Sequence, residues 1–178
     1  MRPEPELLLE TRRFRVVRHA QPLADGTIHH REAVVHPGAV VIVGLIEPRQ
    51  VVLIRNYRIA VDEELLELPA GTIDPGEDPL ETARRELAEE TGYRADAFRR
   101  LTDFWVSPGI LSERMHLFLA TGLRPGPAAP EKGEQIRPLV ADWDEALAMI
   151  DQQKIRDAKT LAGLLYYDRL LRLGSGAS

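Results

Sequence analysis

The stretch that decides the fold runs Gly71-Thr-Ile-Asp-Pro-Gly-Glu77-Asp78-Pro79-Leu-Glu81-Thr-Ala-Arg84-Arg85-Glu86-Leu87-Ala-Glu89-Glu90-Thr-Gly92-Tyr93. Asp78 suits a helix N-cap, because its carboxylate can accept a bond from a free first-turn amide. Pro79 fits the first helical position, Glu81 stands where a capping box places its acid, and Gly92 supplies the C-terminal stop. The predicted helix puts Leu80, Ala83 and Leu87 on one face. Glu86, Glu89 and Glu90 fall at i, i+3 and i+4, so their carboxylates share one side, within reach of one ion. Like charges so spaced cost a few tenths of a kcal/mol each, and they sit at the end of the helix where the macrodipole favours cations. At an effective dielectric of about 20, two such charges about 4 Å apart repel by roughly 4 kcal/mol. A divalent cation turns that repulsion into attraction. Oxygen donors suit Mg²⁺ or Mn²⁺, which also accept phosphate oxygens as ligands. The ordinary alternative is a solvated acidic face with Arg84 and Arg85 as counter-ions.

Upstream, the chain reads as strand. Phe14–Val17, Thr27–Val35, Ala39–Ile46, Val51–Tyr57 and Leu65–Leu68 are short apolar or β-branched runs. Turn signals separate them: Ala24-Asp25-Gly26, Pro37-Gly38, Glu47-Pro48-Arg49-Gln50 and Pro69-Ala70-Gly71. Downstream, Phe98–Val106 and Met115–Leu123 are predicted strands. Asp142–Ile150 and Lys159–Leu173 are predicted helices, the second with Leu161, Leu164, Leu165 and Leu171 available for a packed stripe. Arg124–Glu134 holds three prolines and two glycines and reads as a long exposed loop. Trp105 and Trp143 read as packing anchors. His29 and His30 are neighbours, so in a strand they point to opposite faces and make a poor chelating pair.

Composition narrows the class. At 178 residues, 44% hydrophobic and 29% charged, the chain suits one folded domain with its own core. With no cysteine it has no disulfide framework, thiol nucleophile or thiolate metal site. A formal charge of -5 argues against a general nucleic-acid grip. No apolar run is long enough to span a bilayer, and no secretory signal is visible. The expectation is a soluble, cytoplasmic protein.

Gly71, Glu77, Arg85, Glu86, Glu89, Glu90 and Gly92 match the signature G-x5-E-x7-R-E-U-x-E-E-x-G-U at every fixed position. Tyr93 is an aromatic where an aliphatic residue is commoner. The chain thus resembles the Nudix hydrolase family. The resemblance implies an α/β fold: a Nudix-type α/β/α sandwich with a mixed sheet, extended here by an N-terminal β-hairpin. It implies Glu86 and Glu90 as principal ligands of Mg²⁺ or Mn²⁺, Glu89 assisting, and a ligand from the Ala70 carbonyl. Glu77 and Arg85 would pair to hold the loop against the helix, and Gly71 belongs to the same structural set. The implied chemistry is hydrolysis of a nucleoside diphosphate linked to another group.

Pro108, sixteen residues beyond Gly92, resembles the proline of the ADP-ribose pyrophosphatase branch. His36-Pro37-Gly38-Ala39-Val40, Asn56-Tyr57-Arg58, Glu67-Leu68-Pro69-Ala70-Gly71 and Ser112-Glu113-Arg114 agree with it. The branch implies Arg58, with Arg55 as the alternative, on the substrate's phosphates or terminal ribose, and Glu113 on ribose hydroxyls or bound water. Phe14 is a candidate for stacking on adenine, although an aromatic in a short strand is more often core. Glu134, with Glu131 second, is the candidate base on the mobile loop, although Lys132 and Gly133 interrupt the acidic run usual there.

The resulting expectation is Mg²⁺-dependent cleavage of ADP-ribose to AMP and ribose 5-phosphate. The alternatives are a broader hydrolase of dinucleotides or nucleotide sugars (FAD, GDP-sugars) and a non-catalytic Nudix-scaffold sensor. The sensor would be expected to lack catalytic glutamates, and all three are present. The expected division is a strand region over 1–35, the Nudix domain over 36–173 and a tail over 174–178. By analogy with the family, the resemblance together with the long strand region Phe14–Val35 implies a homodimer with exchanged strands.

Overall fold

The computed structural model describes residues 3–47, 49–128 and 135–174. Glu131, Glu134 and most of the expected tail lie outside the described residues. The elements in chain order begin with β1 (Glu6–Glu10), β2 (Arg15–Pro22), β3 (Ile28–Val35), β4 (Ala39–Glu47) and β5 (Gln50–Arg58). Then follow β6 (Glu63–Glu67), β7 (Ala70–Thr72), α1 (Pro79–Thr91), β8 (Tyr93–Arg94), β9 (Ala97–Trp105) and β10 (Arg114–Thr121). The last are β11 (Arg124–Pro125), β12 (Ile136–Asp142), α2 (Trp143–Asp151) and α3 (Ala158–Arg172).

The central sheet has the order β12-β5-β4-β10-β9. The β4–β10 pairing is parallel and the others antiparallel, so the sheet is mixed. Alternate side chains of β4 serve two cores, as the two-residue period of a strand requires. Val40 and Ile42 pack with Ala83 and Leu87 of α1, while Val41 and Val43 join Trp143, Leu164 and Tyr167 of α2 and α3. This is the α/β/α sandwich. Trp143 is buried and meets Tyr167 edge-on, with ring centroids 5.2 Å apart.

One irregularity positions the site. β4 and β5 are paired only close to their connecting turn. Beyond it, β6 pairs with β5 and β7 pairs with β4, so a wedge fills the split between the two central strands. The Pro69 carbonyl accepts from the Ile42 amide at 2.9 Å and fixes the crossing between β6 and β7. Ala70 and Gly71 therefore emerge at the open end of the sheet.

The N-terminal region is a three-stranded antiparallel sheet, β1-β2-β3, rather than a hairpin alone. Its bridge to the rest of the fold joins Val34 to Leu111. Two packing expectations are corrected. Leu165 and Leu171 are exposed on α3, whose buried face is Thr160, Gly163, Leu164 and Tyr167. Trp105 is 54% exposed, with the Arg114 guanidinium 5.9 Å from its ring centre, and anchors no core.

Candidate active site

α1 is set by the local chemistry of its ends. The Asp78 carboxylate accepts from the Leu80 amide at 2.8 Å, and Pro79 occupies the first turn. Glu81 turns to Arg84, 3.5 Å away, instead of closing a capping box. Gly92 ends the helix at φ 75°, and a Cβ there would lie 2.6 Å from the Gly126 carbonyl oxygen. Both the left-handed conformation and the close chain favour glycine at this position.

The loop before α1 is clamped by Arg85. Its guanidinium donates to both Glu77 carboxylate oxygens at 3.1 and 3.0 Å, and to Glu86 at 2.7 Å and Glu89 at 3.1 Å. These bonds hold the Glu77 carboxyl at about 2, well below its usual range, against the opposing effect of burial. The same partnership, Glu77 first, raises Arg85 further above its ordinary value.

Glu90 is 3% exposed and accepts from the Ala70 amide at 2.9 Å. Glu86 lies against Gly71 so closely that a Cβ at residue 71 would fall on its carboxylate. Among the described residues no three His, Asp or Glu side chains converge as they stand to hold an ion. Two of the three helix acids meet Arg85 and the third meets the Ala70 amide.

Ala70, Glu86 and Glu90 line a cleft of about 570 Å³ together with Arg85, Arg58 and Glu113. The Glu113 carboxylate lies 3.6 Å from His36 Nδ1. Arg58 binds Glu67 through two bonds, 2.8 and 2.6 Å long. The other expected residues fall elsewhere. Glu89 faces the neighbouring groove on α1. Arg55 pairs with Glu64, while Pro108 sits in an exposed turn and Phe14 is 37% exposed. None of these four lines the cleft.

Sequence reading gave no role to five residues of the site. Arg12 and Arg13, on the β1–β2 turn, line the cleft, as do Asp157 and Lys159 at the start of α3. Beneath Arg58, Glu67 is fully buried and also binds Lys159, which reaches Asp157 at 3.0 Å. The available signal was Glu67 inside the apolar run Leu65–Leu68, since a lone acid there needs cationic partners.

A mixed sheet between helices, with the Gly71–Gly92 signature forming the loop and capped helix that wall an open cleft, is the arrangement of the Nudix class of α/β/α proteins. The NUDIX domain matches residues 35–164, and the chain belongs to the Nudix hydrolase family. Among curated relatives, the methanol dehydrogenase activator of Bacillus methanolicus is 37% identical over 81% of this chain and 79% of its own length. The ADP-ribose pyrophosphatase of Bacillus subtilis (strain 168) is 34% identical over the same shares, 81% and 79%. A GDP-mannose pyrophosphatase of Cronobacter sakazakii is 38% identical over 70% of this chain and 69% of its own. A crystal structure of an ADP compounds hydrolase shares the fold, with a TM-score of 0.85 at 23% identity, covering 99% of this chain and 96% of that one.

Proposed function

We propose that the chain hydrolyses the diphosphate linkage of ADP-ribose to AMP and ribose 5-phosphate, with Mg²⁺ as the working ion and Mn²⁺ as a substitute. The observation that carries this reading is a single cleft lined both by the acids Glu86 and Glu90 and by the cations Arg58 and Lys159. A diphosphate needs both: acids to hold a divalent ion, and cations to hold its remaining charge. The donor set fits a hard ion, because it offers oxygens only: the Glu86, Glu90 and Glu89 carboxylates and the Ala70 carbonyl. When bound, such an ion neutralises diphosphate oxygens and lowers the pKa of an attacking water.

The protein's own residues divide the remaining work. Glu86 and Glu89 would hold the ion, and the bonds from Arg85 to Glu77 would keep loop and helix in register. Arg58, fixed in its bidentate bond to Glu67, offers its outer edge to the phosphates. Glu113 accepts from ribose hydroxyls. Glu134, with Glu131 second and both outside the described residues, orients or deprotonates the water. Phe14 stacks on adenine from across a dimer, and Pro108 stiffens the exposed turn that follows Val106, a residue of the cleft wall. Arg55, paired with Glu64, is the alternative to Arg58 for the phosphate contact.

Residues 1–35 serve as the dimer-forming region and residues 36–173 as the catalytic domain. Leu7 and Leu9, 52% and 51% exposed on β1, support a homodimer, because a second copy would cover them. A cytoplasmic setting is part of this reading, and the acidic net charge speaks against nucleic acid as a partner. Among the described residues no helix is long and apolar enough to cross a membrane.

A substrate panel with Mg²⁺ and Mn²⁺ tests the reading. ADP-ribose should give the highest kcat/KM among ADP-ribose, FAD, GDP-mannose and nucleoside triphosphates. Faster turnover of a triphosphate would overturn it. GDP-mannose is the second reading, favoured by relatives of that name.

A further inference from the structure

The turn between β1 and β2 is built around one hydroxyl. Thr11 Oγ1 accepts from the amides of Arg13 at 3.2 Å and Phe14 at 3.0 Å, and donates to the Phe14 carbonyl at 2.7 Å. The Thr11 amide closes the turn on the same carbonyl at 3.0 Å. Because Arg15 pairs with Val35 in the β2–β3 ladder, the turn lies beside the link that leads to β4. Pro37 of that link lines the cleft, and so do Arg12 and Arg13.

These two arginines differ from every other cation of the cleft. Arg58 is matched by Glu67, Lys159 by Glu67 and Asp157, and Arg85 by Glu77, Glu86 and Glu89. Among the described residues no carboxylate pairs with Arg12 or Arg13, and neither side chain has a hydrogen-bond partner. ADP-ribose is uncharged away from its diphosphate, and Arg58, Lys159 and an ion on α1 already serve that group. Two unmatched guanidinium groups, carried by consecutive residues of a fixed turn and both lining the cleft, suit a dianion, since each offers a fork of donors to phosphate oxygens.

We propose that Arg12 and Arg13 form a second anion-binding locus in the cleft, which takes a phosphate monoester on a ribose of the substrate. This rests on the reading of the chain as an ADP-ribose hydrolase and makes the preferred substrate a phosphorylated form of it.

The test compares kcat/KM for ADP-ribose, ADP-ribose 2′-phosphate and ADP-ribose 1″-phosphate in the wild type and in the Arg12→Gln/Arg13→Gln double variant. At least one monoester should be preferred over ADP-ribose by about tenfold or more, mainly through KM. The double variant should lose that preference, Arg12→Lys/Arg13→Lys should keep part of it, and about 0.5 M salt should narrow it. Which monoester gains identifies the ribose that is read. A ratio of one or less for both monoesters overturns the proposal. So does a ratio that survives the double variant, because the arginines would then act on the diphosphate or on nothing.

A binding measurement separates this proposal from the hydrolysis reading. Calorimetry compares adenosine 2′,5′-bisphosphate with 5′-AMP, and ribose 1,5-bisphosphate with ribose 5-phosphate. Tighter binding of either bisphosphate, lost in the double variant, supports the locus even if ADP-ribose is not cleaved. Equal binding in both pairs removes it even if ADP-ribose is cleaved. Melting temperatures of the variants, expected to match the wild type, show that the turn still folds.

Discussion

At Gly71 a hydrogen stands where any other residue would push a methyl group onto the Glu86 carboxylate. Gly71→Ala should therefore displace that acid and lower kcat by at least about tenfold, while the circular dichroism spectrum stays native. Retained activity would mean that Glu86 is placed by something else. Glu86→Gln and Glu90→Gln keep shape but remove charge, so each should lower kcat by about a hundredfold or more with little change in melting temperature. Near-native turnover in either would remove that residue from the ion-binding set. These acids were legible because i, i+3, i+4 spacing on one helix is a local fact. Arg12, Arg13 and Lys159 were not, because they reach the cleft only through the pairing of distant strands and the docking of α3.

Helix α1 owes its start to Asp78. Asp78→Ala should cost about 1 kcal/mol, or roughly 2–4 °C in melting temperature for a chain of this size. An unchanged melt would show the cap to be redundant with Pro79. The loop–helix pair has its own acid sensitivity. Glu77 titrates at about 2 when folded, against an ordinary 4.5, so the unfolded chain binds its proton more readily. The stabilisation is complete above pH 4.5 and lost as pH falls towards 2. Melting curves across that window should fall less steeply in Glu77→Gln than in the wild type, and parallel curves would contradict the pairing. The ends of α1 could be read from sequence because caps are local signals. On α3 the period was legible but its phase was not: more leucines were present than one face could bury, and contact with β4 selected Leu164 over Leu165 and Leu171. β7 escaped notice because its three residues become a strand only by pairing with β4. β12, which contains Pro138, was hidden for a similar reason, since its definition comes from β5.

Across the whole molecule, Glu67 ties three elements together. It lies buried at the end of β6 and binds Arg58 from β5 and Lys159 from α3. Glu67→Ala would leave two cations facing each other without their shared acid, which should cost about 3–5 kcal/mol. A melting temperature within a degree or two of the wild type would show that water or Asp157 replaces it. The sandwich was legible only through the resemblance carried by Gly71–Tyr93, because the order of the elements by itself showed no more than a mixture of strands and helices. The split between β4 and β5 was not, because both runs look uniformly apolar and nothing local marks where they part.

Gly92 has a consequence beyond ending α1. Its missing side chain leaves room for the backbone of Gly126 and Ala128, with Ala128 N only 2.9 Å from where a Cβ would stand. The chain that continues towards Glu131 and Glu134 thus departs from a mooring on the acidic helix itself. A bulkier residue at 92 would push Gly126, Pro127 and Ala128 off the end of α1, so a change inside the signature would move backbone far along the chain.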